Sequence, residues 1–225
     1  MLYSEEALRA NIRNREGKRV FYLGKQDQLT SAARDWTLRE RIEILPADQA
    51  APDHYRLLSG GTLQQKPEHL THLNGNVLVP KTHPRIRFRG KLDTLEAELL
   101  LCQQAVPAKE KELGEILSFS RMIIRCDVLE EAVPEGKLCG LTQEELRSRS
   151  HRPQDYYGQT HFMPEIADGE TILRLNLCRC AAREAELAAA AAFTDANGAL
   201  LRADILRALN RMSSMLYILM IQCKG

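Results

Sequence analysis

Charged and amide side chains interrupt several apolar repeats of this sequence at positions where they could bind a charged ligand. Arg179, Arg183 and Glu186 lie at i, i+4 and i+7 of one predicted helix, a spacing that places them on one stripe. Asn210 interrupts a second apolar repeat, and Asp93 lies beside a third. Because a guanidinium donates paired hydrogen bonds to phosphate, the pattern allows a phosphate pocket between helices. It also allows a simple surface ion pair between Arg183 and Glu186, which would contribute about 0.2–0.5 kcal/mol.

The other polar residues give little support for metal or nucleophile chemistry. No cysteine lies near a histidine at zinc spacing, and no Glu-x-x-His pair matches a di-iron helical bundle. Cys178 and Cys180 fall on different faces of a helix and are expected to be core thiols. No G-x-S-x-G, G-x-G-x-x-G or Walker-type loop occurs. We predict no metal site, and we predict solvated or hydrogen-bonded loop side chains for His69, His72, His83, His151 and His161.

Four stretches with helical hydrophobic periodicity must position the polar residues. They run over Phe88–Cys102, Leu113–Ile124, Ile172–Phe193 and Ile205–Leu219. Short connections between such helices favour an antiparallel bundle. The segment Glu130–Gly169 is rich in proline and glycine, and loops of such length are usually functional. Within it, Thr142-x-x-Glu145 predicts the capping box of a short helix near Thr142–Arg149.

The first 65 residues differ from this helical pattern. Strands are predicted at Val20–Leu23 and Ile42–Leu45, and a short helix is predicted to open within Leu29–Ala33. The stretch Pro46–Asp53 and the following pair of glycines predict a linker or loop. We therefore predict a small α/β appendage at 1–65 and a helical bundle at 66–225.

The composition excludes several broad classes of protein. The 225 residues include 31 Lys+Arg against 30 Asp+Glu, and this net charge of +1 argues against a generic nucleic-acid binder. The cations are 22 arginines and 9 lysines, a skew toward the residue that suits phosphates. The longest apolar runs, Leu187–Phe193 and Met215–Ile221, are far shorter than the ~20 residues of a membrane helix. Since the first residues lack a signal-peptide pattern, we expect a cytoplasmic protein that binds neither nucleic acid nor membrane.

Four segments, in order along the chain, resemble the motifs of the corrinoid adenosyltransferases. Lys81–Ala97 resembles the family's K-x-x-x-R … G-x-x-D-E-L stretch, and His161–Pro164 resembles its F-x-x-P loop. Cys178–Glu186 resembles A-R-T-x-C-R-R-A-E, and Ala208–Ser214 resembles L-N-R-L-S-D. Further likenesses to the ethanolamine-utilisation branch of the family are found at Leu29–Ala33, Leu70–Leu73, Arg125–Glu130 and Leu146–Pro153.

The resemblance implies a mainly α fold, a five-helix antiparallel bundle that assembles as a homotrimer, with ATP and corrinoid bound between subunits. It implies transfer of the 5′-deoxyadenosyl group of ATP to the cobalt of reduced cobalamin, giving adenosylcobalamin and triphosphate for ethanolamine catabolism. A divalent cation such as Mg²⁺ would accompany ATP, and a reductase would donate electrons to cobalt. The expected setting is the cytoplasm, in association with a bacterial microcompartment.

The resemblance also implies roles for individual residues. Lys81 and Arg183 would hold phosphates, where a cation stabilises the leaving triphosphate. Asp93 and Arg179 would form an ion pair across the subunit interface that shapes the site. Phe162 would displace the lower axial ligand of cobalt, leaving a four-coordinate Co(II) that is easier to reduce. The remaining contacts to ATP would come from Thr71, His72, Glu186 and Asn210.

Three departures from the family pattern bear on these expectations. The Gly-rich loop T-G-x-G-D-x-G is absent, so Leu70–Leu73 must take over its part. Position 184, often arginine in the family, is Glu184 here. Some ethanolamine-branch enzymes carry a metal-binding run, His-x11-Cys-Cys-x2-Cys; here His54 is present, but no cysteine precedes Cys102. The missing Gly-rich loop leaves open a non-catalytic helical module that binds ATP or corrinoid as carrier or sensor. A further alternative is a helical scaffold whose polar stripe is an oligomer seam.

Overall fold

The apolar repeats form helices, which we describe in a computed structural model covering residues 1–15, 17–47 and 55–224. The chain divides into two compact units, Met1–His83 and Pro84–Gly225. His54 and most of the predicted linker Pro46–Asp53 lie outside the described residues. Helices dominate the described chain, which confirms the mainly α fold class.

The described part of the N-terminal unit contains two helices and nine short strands. In chain order they are β1 (Leu2–Tyr3), α1 (Glu5–Ala10), β2 (Arg13–Arg15), β3 (Lys18–Leu23), β4 (Gln28–Leu29), α2 (Ser31–Arg39), β5 (Glu43–Pro46), β6 (Tyr55–Leu57), β7 (Thr62–Leu63), β8 (Leu70–Asn74) and β9 (Val77–Pro80). Strand β1 pairs with β4 in parallel, and β3 lies between antiparallel β2 and parallel β5. The last four strands form a sheet in the order β7-β6-β9-β8.

The predictions for the first part of this unit are confirmed. Strands β3 and β5 match the two predicted strands to within a residue or two at each end. Helix α2 begins after Thr30, whose side chain accepts a hydrogen bond of 3.2 Å from the amide of Ala33, so Thr30 is the cap. A small core joins these elements, consisting of Leu8, Phe21, Leu29, Ala33, Trp36 and Ile42.

The four-stranded sheet was not predicted, and it spans the predicted boundary between 65 and 66. Strands β6 and β7 precede that boundary and β8 and β9 follow it, so the packed unit extends to His83. Strands β6 and β7 have only three and two residues, too few to show a periodicity, and β6 pairs in parallel with β9 rather than only with the next strand along the chain.

The second unit contains four long helices and two short ones in its described part. They are α3 (Pro84–Ala105), α4 (Glu110–Leu129), α5 (Gln143–His151), α6 (Pro153–Tyr157), α7 (Gly169–Phe193) and α8 (Ala203–Lys224). Helix α7 packs against both α3 and α8, α4 packs on α3, and α5 packs on α8. The start of α3 meets the end of α7, where Phe88 and Phe193 pack edge to face at 5.6 Å, so these two helices are antiparallel.

The core of the helical unit consists of the residues that the periodicity selects. In α3, the five predicted positions from Phe88 to Cys102 have no exposed surface. In α7, all seven predicted positions from Ile172 to Phe193 are buried, and three of them are alanines. Small side chains on α7 let its neighbours approach closely, which suits a core with few aromatic residues.

A buried ionic contact joins α3 to the end of α4. The carboxylate of Asp127 has no exposed surface, and it accepts hydrogen bonds from Arg85 Nε at 2.9 Å and Arg89 Nε at 2.6 Å. Arg85 also donates to the backbone carbonyl of Asp127 at 2.8 Å. Because an unpaired buried carboxylate is strongly destabilising, both arginines are needed where they lie. They fix the start of α3 relative to α4.

The long segment between α4 and α7 is tied to the bundle by local hydrogen bonds. The predicted capping box is present: Thr142 Oγ1 accepts from the amide of Glu145 at 3.2 Å, and Glu145 Oε2 accepts from the amide of Thr142 at 2.9 Å. The resulting helix α5 buries Leu146 in the core. Both the box and the short helix are therefore confirmed.

A second tie joins the segment after α4 to the start of α8. Asp204 accepts two hydrogen bonds from the guanidinium of Arg202, at 2.9 and 2.8 Å, and one from the amide of Val133 at 2.9 Å. The Arg202 hydrogen bonds are the largest cause that lowers the pKa of Asp204, from 3.8 to about 2, against the opposing effect of partial burial. The ionised carboxylate is thus favoured in the folded chain.

We expect Asp204→Asn to lower the free energy of unfolding near neutral pH, as measured by urea denaturation. A carboxyl group with a depressed folded-state pKa stabilises the fold above its ordinary value of 3.8 and loses this effect as the pH falls through about 2. The difference between variant and wild type should therefore shrink over this acid range. Asp155→Asn, which removes an exposed carboxylate, is the control. A difference that stayed constant with pH would contradict the assignment.

Candidate functional site

An open cavity of about 450 Å³ lies in the helical unit between α5, the loop after α6, α7 and α8. This volume is within the range of small-molecule sites in proteins. Its walls are formed by Ser150, His151, His161, Phe162, Met163, Arg179, Arg183, Asn210, Ser213, Ser214 and Tyr217. Residues from four separate segments of the chain therefore meet at one place.

Four of the predicted site residues line this cavity. Arg179 and Arg183 come from α7, Asn210 comes from α8, and Phe162 comes from the loop after α6. Arg179 and Arg183 lie on the stripe of α7 beside its buried face, as the i, i+4 spacing predicts. Two cations, an amide and an aromatic ring in one cavity suit a ligand with both anionic and flat apolar parts.

The two arginines differ in what holds them. Arg179 donates to Asn176 Oδ1 from Nε at 3.1 Å and from Nη2 at 3.0 Å, and its guanidinium lies 5.9 Å from the centre of the Tyr217 ring. Arg183 is exposed, and among the described residues it has no hydrogen-bond or ion-pair partner. Its donors are therefore available to an anion in the cavity.

The alternative surface pair between Arg183 and Glu186 is not formed. Glu186 Oε1 instead accepts a hydrogen bond of 3.0 Å from Nδ2 of Asn210, which joins α7 to α8 at the cavity. This bond orients the Asn210 amide and leaves its carbonyl oxygen and second N–H for a ligand. Glu186 is half-buried beside the cavity rather than part of its wall.

Phe162 is half-buried and is held on several sides. Its amide donates to the Tyr217 hydroxyl at 3.3 Å, and the two rings stack with centres 6.1 Å apart. The Lys224 ammonium lies 4.0 Å from the centre of the Phe162 ring and is bound to Asp168 at 2.8 Å. This Lys224 hydrogen bond, with a further one from the amide of Glu165, lowers the pKa of Asp168. Together these contacts define one position for the ring.

Asp93 and Arg179 do not pair within the chain. Asp93 is exposed on α3, and within the described residues it has no ion-pair partner. The predicted pair joins Asp93 of one subunit to Arg179 of another, which a single chain does not test, so it stays a prediction. Glu184, the departure from the family pattern, pairs with Lys91 of α3 at 2.6 Å on the surface.

The other predicted ATP ligands belong to the N-terminal unit. Lys81 follows β9 and is exposed. Thr71 and His72 are neighbours in β8, and adjacent side chains of a strand point to opposite faces, so at most one of the two faces a ligand on one side of the sheet. His72 packs edge to face on Tyr55. Desolvation, together with nearby cationic groups, lowers the pKa of His72.

Several cavity residues were not predicted as site residues, and Tyr217 is the most informative of them. It lies in the apolar run Met215–Ile221, but it is not one of the positions that the helical periodicity assigns to the core. A tyrosine in such a run is nevertheless a usable signal, because its hydroxyl needs a hydrogen-bond partner when it is half-buried. The further unpredicted wall residues are Ser150, His151, His161, Met163, Ser213 and Ser214.

The remaining sequence predictions concern thiols, metals and membranes. Cys178 is buried, but Cys180 is exposed, so the prediction of a core thiol is wrong for Cys180 because it lies on the outer face of α7. Across residues 1–15, 17–47 and 55–224, no three His, Cys, Asp or Glu side chains come together to hold a metal ion. Over the same residues, no helix has the length and apolarity needed to cross a membrane.

Comparison with known proteins gives consistent matches along the chain. The sequence profile of the family described as cobalamin adenosyltransferase matches residues 62–223. Corrinoid adenosyltransferase EutT of Salmonella typhimurium is 33% identical over 243 aligned positions, covering 97% of this chain and 90% of that protein. Its namesake from Escherichia coli is 38% identical over 158 positions, covering 70% of this chain and 59% of the relative. No solved structure matches the chain. The chain belongs to the cobalamin adenosyltransferase family.

Proposed function

We propose that the chain transfers the 5′-deoxyadenosyl group of ATP to the cobalt of reduced cobalamin, giving adenosylcobalamin and triphosphate. The observation that carries this proposal is the cavity in which the unpaired Arg183, the oriented amide of Asn210 and the ring of Phe162 meet. Family membership supplies the chemistry, and the cavity supplies groups for both substrates. We further propose that the product serves ethanolamine catabolism, as the resemblance to that branch implies.

The reaction needs little acid–base chemistry from the protein. Cobalt in the Co(I) state is the nucleophile: its electron pair forms the bond to C5′ while the C5′–O bond breaks and triphosphate leaves. The protein must hold the two substrates in line and stabilise the charge that develops on the leaving group. This division of labour agrees with a cavity wall that presents two arginines and the amide of Asn210.

ATP is proposed to bind through its phosphates and through the amide in the cavity. Arg183 would contact the triphosphate, and Asn210, oriented by Glu186, would contact the nucleoside. The role of Lys81 as a phosphate ligand is proposed from the resemblance alone. One of the two neighbours Thr71 and His72 would add a contact in place of the Gly-rich loop. A divalent cation such as Mg²⁺ would enter with ATP, because this ion keeps several waters and is typically held by substrate phosphates.

Phe162 is proposed to meet the corrinoid. An aromatic ring beside the cobalt would displace the lower axial ligand and leave a four-coordinate Co(II), which accepts an electron more readily. The ring is half-buried in the wall of the cavity, so it presents an apolar surface while its backbone stays anchored. A reductase is proposed to supply the electron.

The exposed face of α7 supports the proposal of a homotrimer with sites between subunits. Leu173, Leu177 and Leu187 lie on one stripe of this helix, and Leu187 is 72% exposed. Exposed apolar side chains aligned along one side of a helix are typical of a contact surface. In such an assembly, Asp93 of one subunit would pair with Arg179 of another.

We also propose which helices form the bundle, where the domains divide and where in the cell the protein resides. The five-helix bundle would consist of α3, α4, α5, α7 and α8, since α5 packs on α8. The family match from residue 62 supports a division into an appendage at 1–65 and a transferase domain at 66–225, although the packed units divide at His83. Residence in the cytoplasm, near a bacterial microcompartment, follows from the resemblance alone.

The activity is tested directly by mixing the protein anaerobically with ATP and chemically reduced cob(I)alamin. We expect a light-sensitive alkylcobalamin spectrum and one triphosphate released per adenosylcobalamin. No product with authentic Co(I) would contradict the proposed function. Binding of ATP or corrinoid without turnover would instead favour the non-catalytic carrier or sensor.

Arg183→Ala should raise KM for ATP by about 10- to 100-fold, since one charge-assisted contact to phosphate typically contributes about 1.5–3 kcal/mol. Arg174→Ala is the matched control, because Arg174 lies on the same helix but pairs with Glu170 at 3.2 Å, outside the cavity. Steady-state kinetics with saturating cob(I)alamin provide the measurement. Unchanged KM in Arg183→Ala would remove this residue from the ATP site.

Phe162→Ala should lose activity mainly with the Co(II) substrate. We expect at least a tenfold fall in rate when cob(II)alamin and a reductant are supplied, and a smaller fall when preformed cob(I)alamin is supplied, because the ring acts before cobalt reaches Co(I). Ile166→Ala, a change at an exposed position between Phe162 and α7 that does not line the cavity, is the control. Equal losses with both cobalt states would contradict the axial-ligand role.

A further inference from the structure

A directed chain of hydrogen bonds runs through the loop that carries Phe162. Nε2 of His161 lies 3.1 Å from the backbone carbonyl of His151, and a carbonyl can only accept, so Nε2 carries the hydrogen. In a neutral imidazole, Nδ1 is then an acceptor, and the Tyr217 hydroxyl donates to it at 3.1 Å. The same hydroxyl oxygen accepts from the amide of Phe162 at 3.3 Å. Each of the three hydrogen bonds therefore has one donor and one acceptor, and the three assignments are consistent with one another.

The rings of the same residues are packed together. The His161 and Tyr217 rings stack nearly parallel, with an interplanar angle of 10° and centres 5.7 Å apart. Tyr217 also stacks on Phe162 and lies under the guanidinium of Arg179. The Tyr217 side chain thus contacts His161 and Phe162 of the loop and the guanidinium of Arg179.

The position of Tyr217 in the fold makes it a rigid support. It lies in the middle of α8, and its neighbours Leu216 and Ile218 have no exposed surface. The loop residues His161 and Phe162 have no helix of their own and lie between α6 and α7. A loop gains a defined conformation when its backbone is bonded to a group on a rigid element. The geometry of Phe162 therefore depends on α8.

We propose that Tyr217, with His161 as its hydrogen-bond acceptor, is the positioning residue for Phe162. It sets the height and tilt of the Phe162 ring in the cavity by holding the Phe162 amide and one face of the ring. This inference rests on the proposed function, in which Phe162 meets the corrinoid. Since an aromatic ring can exclude a ligand from cobalt only at the correct distance, a small displacement of the loop should weaken its effect.

The Lys224 contact does not replace this support. Lys224 approaches the Phe162 ring from the last turn of α8, through a side chain with four rotatable methylene bonds. It touches the ring and not the backbone. The bond from the Phe162 amide to Tyr217 is the contact that fixes the chain itself.

Tyr217→Phe removes the hydroxyl and keeps the stacked ring. We expect the rate with cob(II)alamin and reductant to fall about tenfold, the amount that loss of the hydrogen bond from the Phe162 amide can account for, and the rate from preformed cob(I)alamin to fall less. The absorption of four-coordinate Co(II), recorded with ATP present, should fall in parallel. Tyr156→Phe is the matched control, because it removes a hydroxyl that bonds Ser148 at 2.8 Å and does not contact Phe162.

Two substitutions of His161 separate the hydrogen bond from general packing. His161→Asn places an amide oxygen near the position of Nδ1, so Tyr217 keeps an acceptor, whereas His161→Leu removes it. We expect His161→Asn to retain most of the Co(II)-dependent rate and His161→Leu to match Tyr217→Phe. Equal loss in both His161 variants, or none in either, would overturn the proposed role of His161.

A measurement without turnover tests the positioning itself. The chain contains five phenylalanines, so protein labelled with fluorophenylalanine should give a simple fluorine NMR spectrum, in which Phe162→Leu identifies one signal. That signal should broaden or shift in Tyr217→Phe and stay unchanged in Tyr156→Phe; each of these variants contains six phenylalanines and therefore shows one additional signal. An unchanged signal and unchanged Co(II)-dependent rate in Tyr217→Phe would overturn the inference while leaving the transferase activity intact. Failure of the wild type to convert cob(I)alamin would instead reject the proposed function, and the Co(II)-specific role of Tyr217 with it.

Discussion

The close packing of α7 between α3 and α8 is the constraint on which the site depends. Burial of the stripe from Ile172 to Phe193 fixes the rotation of α7 about its axis. Once that rotation is fixed, the adjacent stripe with Arg179 and Arg183 must border α8, where Asn210 and Tyr217 lie. The hydrophobic effect thus positions the polar residues indirectly, because the sequence spaces them at a constant angle from the buried face.

Polar contacts then fix the helix ends and the connecting segments, which the apolar core does not position. The buried carboxylate of Asp127 holds α3 against α4, and Asp204 holds the start of α8 against the segment that leads to α5. The capping box begins α5 at a defined residue, so that Ser150 and His151 reach the cavity. These contacts stabilise helix ends and connections, which are the parts that an aliphatic core specifies least. The site is built where such connections meet the rigid helices.

The helical core was predictable residue by residue because helix periodicity is a local property and repeats over many turns. The four strands from β6 to β9 were not predictable in this way, because each has only two to five residues and is stable only when paired. The same distinction applies to the site. Arg179, Arg183 and Glu186 share one helix, so their common stripe could be predicted, whereas the bond between Glu186 and Asn210 joins residues from two helices.

By itself, the sequence determined the family, the buried faces of the long helices, the capping box and the residue types available for phosphate and corrinoid. These depend on spacing along the chain, which folding cannot alter. Only the tertiary structure decided which partner two of the polar groups take: Asn210 rather than Arg183 for Glu186, and Tyr217 for the amide of Phe162. Such choices depend on distances between segments far apart in sequence, and these distances exist only after the helices have packed.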